Sequence, residues 1–186
     1  MMVIGILLAG GESRRFGSPK AFAQLDGELF YEKAYQALDA VCDRIVIVAH
    51  PEIQPRFPAE LDVITDLPEF AGEGPLAGIL TAMIEKPGDL YVVLPCDMPF
   101  VGPAETEKLV SLMDNTKNIT AIQTPVEKVP LFSIWKTGLQ EALRKELSDG
   151  GRRVMVFMEK AGVTWLDSKA INEDPSVFRN INRPDL

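Results

Sequence analysis

The chain is poor in the residues that clamp or cross-link a fold. It has two cysteines, Cys42 and Cys96, and one histidine, His50, in 186 residues. There is no CxxC pair and no Cys/His ligand spacing, which argues against a structural zinc site. Two isolated cysteines give no disulfide framework, so both are expected to be reduced and buried. No apolar run approaches the roughly 20 residues of a membrane-spanning helix. The apolar start, Met1 to Gly10, lacks a basic leader and runs straight into a glycine loop, so it reads as a buried strand and not a signal peptide. Positive charge is also scarce: 19 Lys and Arg stand against 27 Asp and Glu, a net charge of −8. That argues against a nucleic acid held on a broad basic face. Together these absences predict a cytoplasmic protein with no membrane or nucleic-acid partner.

Apolar residues make up 46% of the chain, and its length suits one domain over residues 1–186 with a sizeable core. Val3 to Ala9, Ile45 to Ala49 and Leu90 to Leu94 are continuous aliphatic runs, the mark of strands buried on both faces of a parallel sheet. Leu61 to Ile64 is a shorter candidate. Between them, Phe30, Ala34, Leu38 and Val41 recur at helical spacing. So do Leu76, Ile79, Leu80, Met83 and Ile84, with Pro75 at the first helical position. Pro103 starts a further helix, and Leu139, Ala142, Leu143 and Leu147 make another that stops at Gly150 and Gly151. Strand and helix alternate, which predicts a doubly wound α/β fold with a mostly parallel sheet. Ile119 to Gln123 and Leu131 to Trp135 break the rhythm. With Pro125 and Pro130 between them, one is expected to run antiparallel or at an edge.

The first strand flows into Gly10-Gly11-Glu-Ser-Arg14-Arg15-Phe16-Gly17-Ser-Pro19-Lys20. Glycines let the backbone turn sharply and approach an anion. Exposed N–H groups there can cradle phosphate oxygens, and Arg15 and Lys20 can add charge-assisted hydrogen bonds. The spacing matches neither GxxxxGK[ST] nor GxGxxG, so this is neither an ordinary P-loop nor a dinucleotide fingerprint. The strand Leu90 to Leu94 ends in Pro95-Cys96-Asp97-Met98-Pro99. A carboxylate at that end of a strand enters the same crevice as the glycine loop. Magnesium prefers one or two carboxylates plus substrate phosphates and water, a role that suits Asp97. Asp66, which closes the Leu61 to Ile64 segment, is expected on the same side.

In order along the chain, LLAGG-x-S-x-R-x-G-x-x-K, Gly74-Pro75-Leu76-Ala77-Gly78 and PCDMPF resemble the nucleotidyltransferases that activate sugars, isoprenoid precursors and molybdopterin. Gly151-Arg152-Arg153-Val154-Met155-Val156-Phe157 and Phe178-Arg179-Asn180-Ile181-Asn182-Arg183-Pro184 are similar to segments of the molybdenum cofactor guanylyltransferases. The resemblance runs from residue 4 to residue 184. It implies transfer of GMP from GTP to the terminal phosphate of molybdopterin, with Mg²⁺. It assigns Leu8, Ala9, Gly10 and Lys20 to the GTP loop, Asp66 to the nucleotide, Asp97 to both GTP and Mg²⁺, and Asn180 and Asn182 to molybdopterin. The chain departs from the family in Pro19 for aspartate, Phe16 for methionine, and Val48-Ala49-His50 where relatives often carry asparagine.

A phosphate monoester is already mostly dianionic near neutrality, with a second pKa of about 6. It needs no general base, in keeping with a chain that pairs no nucleophile with its histidine. Catalysis then rests on positioning and charge neutralisation. Asp97 would hold the metal, Arg15 and Lys20 the departing pyrophosphate, and the N–H groups of Gly10 and Gly11 the triphosphate. Arg152 and Arg153 are candidates for the molybdopterin side, although the same pair can open a helix whose apolar face is Val154, Phe157 and Met158. Two other readings stand: the same chemistry with CTP, and a non-catalytic nucleotide-binding protein on this scaffold. Delivery of a labile product suggests docking to other proteins of the cofactor pathway.

Overall fold

The structure, a computed structural model, describes residues 1–10 and 17–182. The aliphatic runs become strands and the periodic segments helices. In chain order these are β1 (Val3–Leu8), β2 (Gln24–Leu25), β3 (Glu28–Leu29), α1 (Phe30–Asp39), β4 (Arg44–Val48), β5 (Val63–Ile64), α2 (Pro75–Glu85), β6 (Leu90–Pro95), α3 (Pro103–Ser111), β7 (Ile119–Gln123), β8 (Lys128–Lys136), α4 (Gln140–Ser148), α5 (Val154–Ala161) and β9 (Val163–Asp167). β2 and β3 form a small antiparallel pair, and the other strands make one sheet in the order β5-β4-β1-β6-β8-β7-β9.

β1 is the spine of this sheet. It pairs in parallel with β4 on one side, from Ile4 opposite Arg44 to Leu8 opposite Val48, and with β6 on the other, from Val3 opposite Leu90 to Leu8 opposite Pro95. The chain winds outward from β1 to β4 and β5, then returns to place β6 on β1's free flank. This reversal leaves a crevice beyond the carboxyl ends of the strands, the usual ligand position in such sheets.

The strands alternate their side chains between two cores. Leu7, Ile47, Val92 and Leu94 face Ala34, Ala37 and Leu38 of α1 and Leu109 of α3. Ile4, Ile6, Val46 and Val93 face Leu76, Ile79 and Leu80 of α2, Leu143 and Leu147 of α4, and Phe157 and Met158 of α5. Burial on both faces is why these strands read as unbroken apolar runs and not as alternating ones. Cys96 is buried and Cys42 half-buried, and both are free. Burial pushes the Cys42 thiol up to about 12 and raises that of Cys96 further, so neither is a ready nucleophile.

The antiparallel strand expected from the two prolines is β8, which runs against β6 and against β7. It is not an edge element, however, because β7 and β9 lie beyond it. Pro130 is tolerated inside the sheet for two local reasons. Pairing with β6 reaches only from Lys136 to Ser133. On the other side the register with β7 shifts between Ala121, opposite Ser133, and Ile122, opposite Val129. The missing N–H therefore falls where the ladder is already interrupted. Among the described residues no helix is long and apolar enough to cross a membrane.

Candidate active site

Four segments leave the carboxyl ends of neighbouring strands and meet over the crevice. β1 continues to Ala9 and Gly10, held by Ala9 N–H donating to Val48 O at 2.8 Å. β4 continues to Ala49 and His50, with Ala49 N–H donating to Ile64 O at 2.9 Å. β5 continues to Thr65 and Asp66. β6 continues to Cys96, whose N–H donates to Leu8 O at 3.0 Å, and then to Asp97. The parallel ladder thus overruns the strands by a residue or two and fixes where the two aspartates stand.

Lys20 enters from the far end of the glycine loop. Pro19 lies just before a single 3₁₀ turn, Lys20–Phe22, with its φ at −60°. Its carbonyl accepts Phe22 N–H at 3.1 Å, so the ring stiffens the approach to the lysine. The Lys20 ammonium donates to Asp97 Oδ2 at 3.0 Å and to Asn182 Oδ1 at 2.9 Å. Lysine and aspartate side chains are only 18% and 22% exposed, so this pair is better shielded than an ordinary surface ion pair.

Asn182 arrives on a strap that follows β9. Phe178 is buried and stacks on Phe132 at 5.8 Å. The Arg179 guanidinium lies 3.9 Å from the centre of the Phe100 ring. Ile181 is buried and its N–H donates to Asp97 O at 2.8 Å. The strap is therefore fastened to the same turn that carries Asp97. Asn180 is exposed.

Asp66 occupies a separate cleft of about 210 Å³, lined by Gly10, Val48, Ala49, His50, Thr65, Asp66 and Gly72 among others. Its Oδ2 accepts Gly72 N–H at 3.1 Å. Burial raises the Asp66 pKa, and the Gly72 N–H and then His50 pull it back. The GPLAG segment explains how the carboxylate is held. Gly74 caps α2 at φ 86°, a left-handed conformation that favours glycine. At Gly78 a Cβ would stand 3.1 Å from Leu8 Cδ2 and 3.3 Å from Val48 Cγ1, so a bare backbone lets α2 close against the strand ends. Thr81 completes the support: its hydroxyl donates to Ala77 O at 2.8 Å and accepts Leu67 N–H at 3.0 Å.

The structure thus brings together Lys20, Asp97 and Asn182, places Leu8, Ala9 and Gly10 beside them, and sets Asp66 in the adjoining cleft. Arg152 is engaged elsewhere. It pairs with Glu73, whose Oε2 is buried, and donates to Leu147 O and Gly151 O, each at 2.8 Å. Arg153 is exposed and caps α5, the helix-opening position that the apolar face of Val154, Phe157 and Met158 allowed. Gly11, Arg14, Arg15, Phe16, Arg183 and Pro184 lie outside the described residues. His50, Thr65 and Thr81 were not singled out from the sequence for this site. For His50 and Thr65 the signal was available, since both follow a strand's carboxyl end just as Asp97 does. Thr81 lies inside a helix and had none.

The donor set fits one mode of metal binding. Among the described residues no group of three or more His, Cys, Asp or Glu could hold an ion. A divalent cation here would rest on Asp97 and on substrate phosphates, as hard, water-retaining Mg²⁺ does.

Known proteins share the sequence pattern and the fold. The model of the MobA-like NTP transferase domain matches residues 5–163. A protein of Geobacillus sp. (strain WCH70) named "Probable molybdenum cofactor guanylyltransferase" is 38% identical over 183 residues, covering 97% of this chain and 93% of its own. A Bacillus subtilis (strain 168) protein of the same name is 36% identical over 187 residues, covering 100% of this chain and 92% of its own. The crystal structure of molybdopterin-guanine dinucleotide biosynthesis protein A from Archaeoglobus fulgidus superposes with a TM-score of 0.80 at 25% identity, over 99% of this chain and 94% of that one. By sequence along nearly its whole length and by fold, this chain belongs to the MobA-like NTP transferase family.

Proposed function

We propose that the protein is a molybdenum cofactor guanylyltransferase that moves GMP from GTP to molybdopterin and releases pyrophosphate. The observation that carries this is the Lys20–Asp97 pair at the carboxyl end of β6, where the winding of the sheet reverses. A cation-binding carboxylate and a phosphate-binding ammonium stand together there, with a second, half-buried carboxylate one cleft away.

An oxygen of the acceptor phosphate attacks the α-phosphorus of GTP, the new P–O bond forms, and the α–β bridging bond breaks. The electron pair leaves on pyrophosphate. Two anions must meet, so the chain's task is neutralisation and alignment. Mg²⁺, held by Asp97 and the triphosphate, would supply the larger part of the positive charge. Lys20 moves from Asp97 to the phosphates and steadies the charge on the departing group, aided by Arg15. Gly10 would present its N–H group to the triphosphate, and the sequence assigns the same part to Gly11. The acceptor lies on the side of Asn180, Asn182 and Arg153, and Arg152 shapes that side by tying the turn before α5 to Glu73. Function as a cytoplasmic enzyme that hands its product to other proteins of the pathway fits this chemistry.

The Asp66 cleft suits the base better than the phosphates, because the carboxylate in its wall would repel a polyanion. Guanine offers adjacent N1–H and N2–H donors that one carboxylate can accept together, while cytosine offers a single exocyclic amine on that edge. The test is pyrophosphate release with molybdopterin and GTP or CTP. GTP is expected to be the substrate, and Asp66→Ala to raise KM for GTP about 10–100-fold, the worth of hydrogen bonds to a charged partner. Preference for CTP would overturn the guanine reading. No release with either nucleotide would leave a non-catalytic binder.

A further inference from the structure

One wall of the Asp66 cleft depends on side chains from later in the chain. Asp66 Oδ2 accepts Gly72 N–H at 3.1 Å, and Ala71 and Gly72 line the cleft. Gly72 and Gly74 take left-handed φ values of 74° and 86° on either side of Glu73. A segment hinged on two glycines has wide freedom of its own. Its local backbone bonds include a long one, Ala71 N–H to Pro68 O at 3.5 Å, and Glu73 N–H to Phe70 O at 3.1 Å. Two ion pairs tie it down. Glu69 pairs with Arg144 of α4 at 2.7 Å. Glu73 pairs with Arg152, and among the described residues its buried Oε2 has no partner besides that arginine. The tether is firmer at the arginine's end. The guanidinium also donates to Leu147 O and Gly151 O. The turn beneath is closed by its own backbone, with Gly150 N–H on Leu147 O at 3.0 Å and Gly151 N–H on Glu146 O at 2.8 Å. If the pair broke, the turn before α5 would keep its shape. Glu73 would not, because an unpaired buried carboxylate oxygen drives its loop to turn it out to water. Gly72 would move with its neighbour, and Asp66 would lose its N–H.

We propose that Arg152 is a positioning residue for the nucleotide half of the site: through Glu73 it holds the Gly72 loop against Asp66, and so sets the affinity for the base without touching either substrate. The inference rests on the guanylyltransferase reading and deepens it. It moves Arg152 away from the molybdopterin contact that its motif suggests. It also separates the two adjacent arginines, since Arg153 is exposed at the start of α5. The Gly72 N–H fixes the plane of the carboxylate that guanine's two N–H donors must meet together. A carboxylate free to rotate would meet them poorly, so the loss falls on nucleotide binding and not on the chemical step.

The experiment is steady-state pyrophosphate release with GTP and molybdopterin, joined to equilibrium titration of each variant with α,β-methylene GTP and, separately, with molybdopterin. The variants are Arg152→Met, which keeps the stem and removes the guanidinium, and Glu73→Gln. Both are expected to raise KM for GTP about 5–20-fold and to weaken the analogue equally, inside the range by which residues acting at one remove change a site. Both kcat and molybdopterin affinity are expected to change by less than about twofold, the scatter of independent sites. In an Asp66→Ala background, Arg152→Met is expected to add nothing, because no carboxylate is left to hold. A thermal melt checks folding, and if Arg152→Met does not fold, Glu73→Gln carries the test. Unchanged KM for GTP, a loss of molybdopterin affinity as large as that of the analogue, or full additivity with Asp66→Ala would overturn the proposal. Any of these in a protein whose unaltered form releases pyrophosphate from GTP sinks this inference alone. An unaltered protein that neither binds the analogue nor releases pyrophosphate sinks the functional reading instead.

Discussion

Asp97→Ala is expected to lower the rate of pyrophosphate release by about 10²–10³-fold, by analogy with removal of one preorganised group that stabilises transition-state charge. The fold should survive. The Asp97 carbonyl, not its side chain, anchors the strap through Ile181 N–H, and the carboxylate is partly exposed with Lys20 as its partner. Added metal should no longer raise the rate, because the carboxylate that would hold it is gone. Asp97→Asn separates charge from shape: it keeps the volume and one oxygen but loses the negative charge, and should fall nearly as far. The check is single-turnover product formation across a magnesium titration, with circular dichroism to confirm folding. Full metal-dependent activity in either variant would remove Asp97 from the mechanism.

The largest effect on stability is expected at Trp135, at the opposite end of the sheet's chemistry. Its ring is fully buried on β8 and stacks on Phe157 of α5 with centroids 5.8 Å apart and planes at 6°. Its indole N–H donates to Ser133 Oγ at 2.8 Å, so the polar atom is satisfied inside the core. Truncation to alanine removes the apolar contact, leaves a cavity between sheet and helix, and strands the Ser133 hydroxyl. The expected cost is about 3–5 kcal/mol. For a chain of this size that corresponds to a fall in Tm of roughly 6–20 °C, read by a thermal melt. Trp135→Phe should lose much less, since it keeps most of the stacked area. Equal losses in both variants would show that the indole hydrogen bond, and not packing, dominates.

Much of the fold was legible because burial on both faces writes itself into sequence. Val3 to Ala9, Ile45 to Ala49 and Leu90 to Leu94 became β1, β4 and β6 with ends shifted by a residue or so. Pro75 and Pro103 begin α2 and α3 as their missing N–H groups predict. The half of the sheet beyond β6 was harder. β9 was not foreseen: only Asp167 of its residues is fully exposed and the rest are half-buried, so neither an apolar run nor a clean alternation appears. β8 extends back to Lys128 through Pro130, which sequence rules place at an edge, and the early end of its pairing with β6 together with the register shift against β7 makes an interior position tolerable.

The site divided along a similar line. Asp97, Lys20 and Asp66 stand out in the sequence because each lies at the end of a strand or loop of recognisable chemistry, and the structure sets Lys20 against Asp97 with Asp66 in the adjoining cleft. The Asn182–Lys20 contact does not, because a pairing across 162 positions has no local signature. Arg152 was drawn toward the acceptor by its motif, while the structure gives its guanidinium to Glu73 and two carbonyls. A basic residue beside a glycine turn does not reveal from sequence whether it faces a ligand or its own backbone.

The strap that delivers Asn182 has a consequence for the order in which the protein comes into being. A folding chain closes its most distant contacts last, since the entropy of so wide a loop must be met by pairings already made. The sheet from β5 to β9 can form while the segment around Phe178 to Asn182 is still unmade, and a nascent chain at that stage has its strands but no finished lysine geometry. The Lys20–Asn182 contact, spanning 162 positions, is thereby among the last that a folding chain closes.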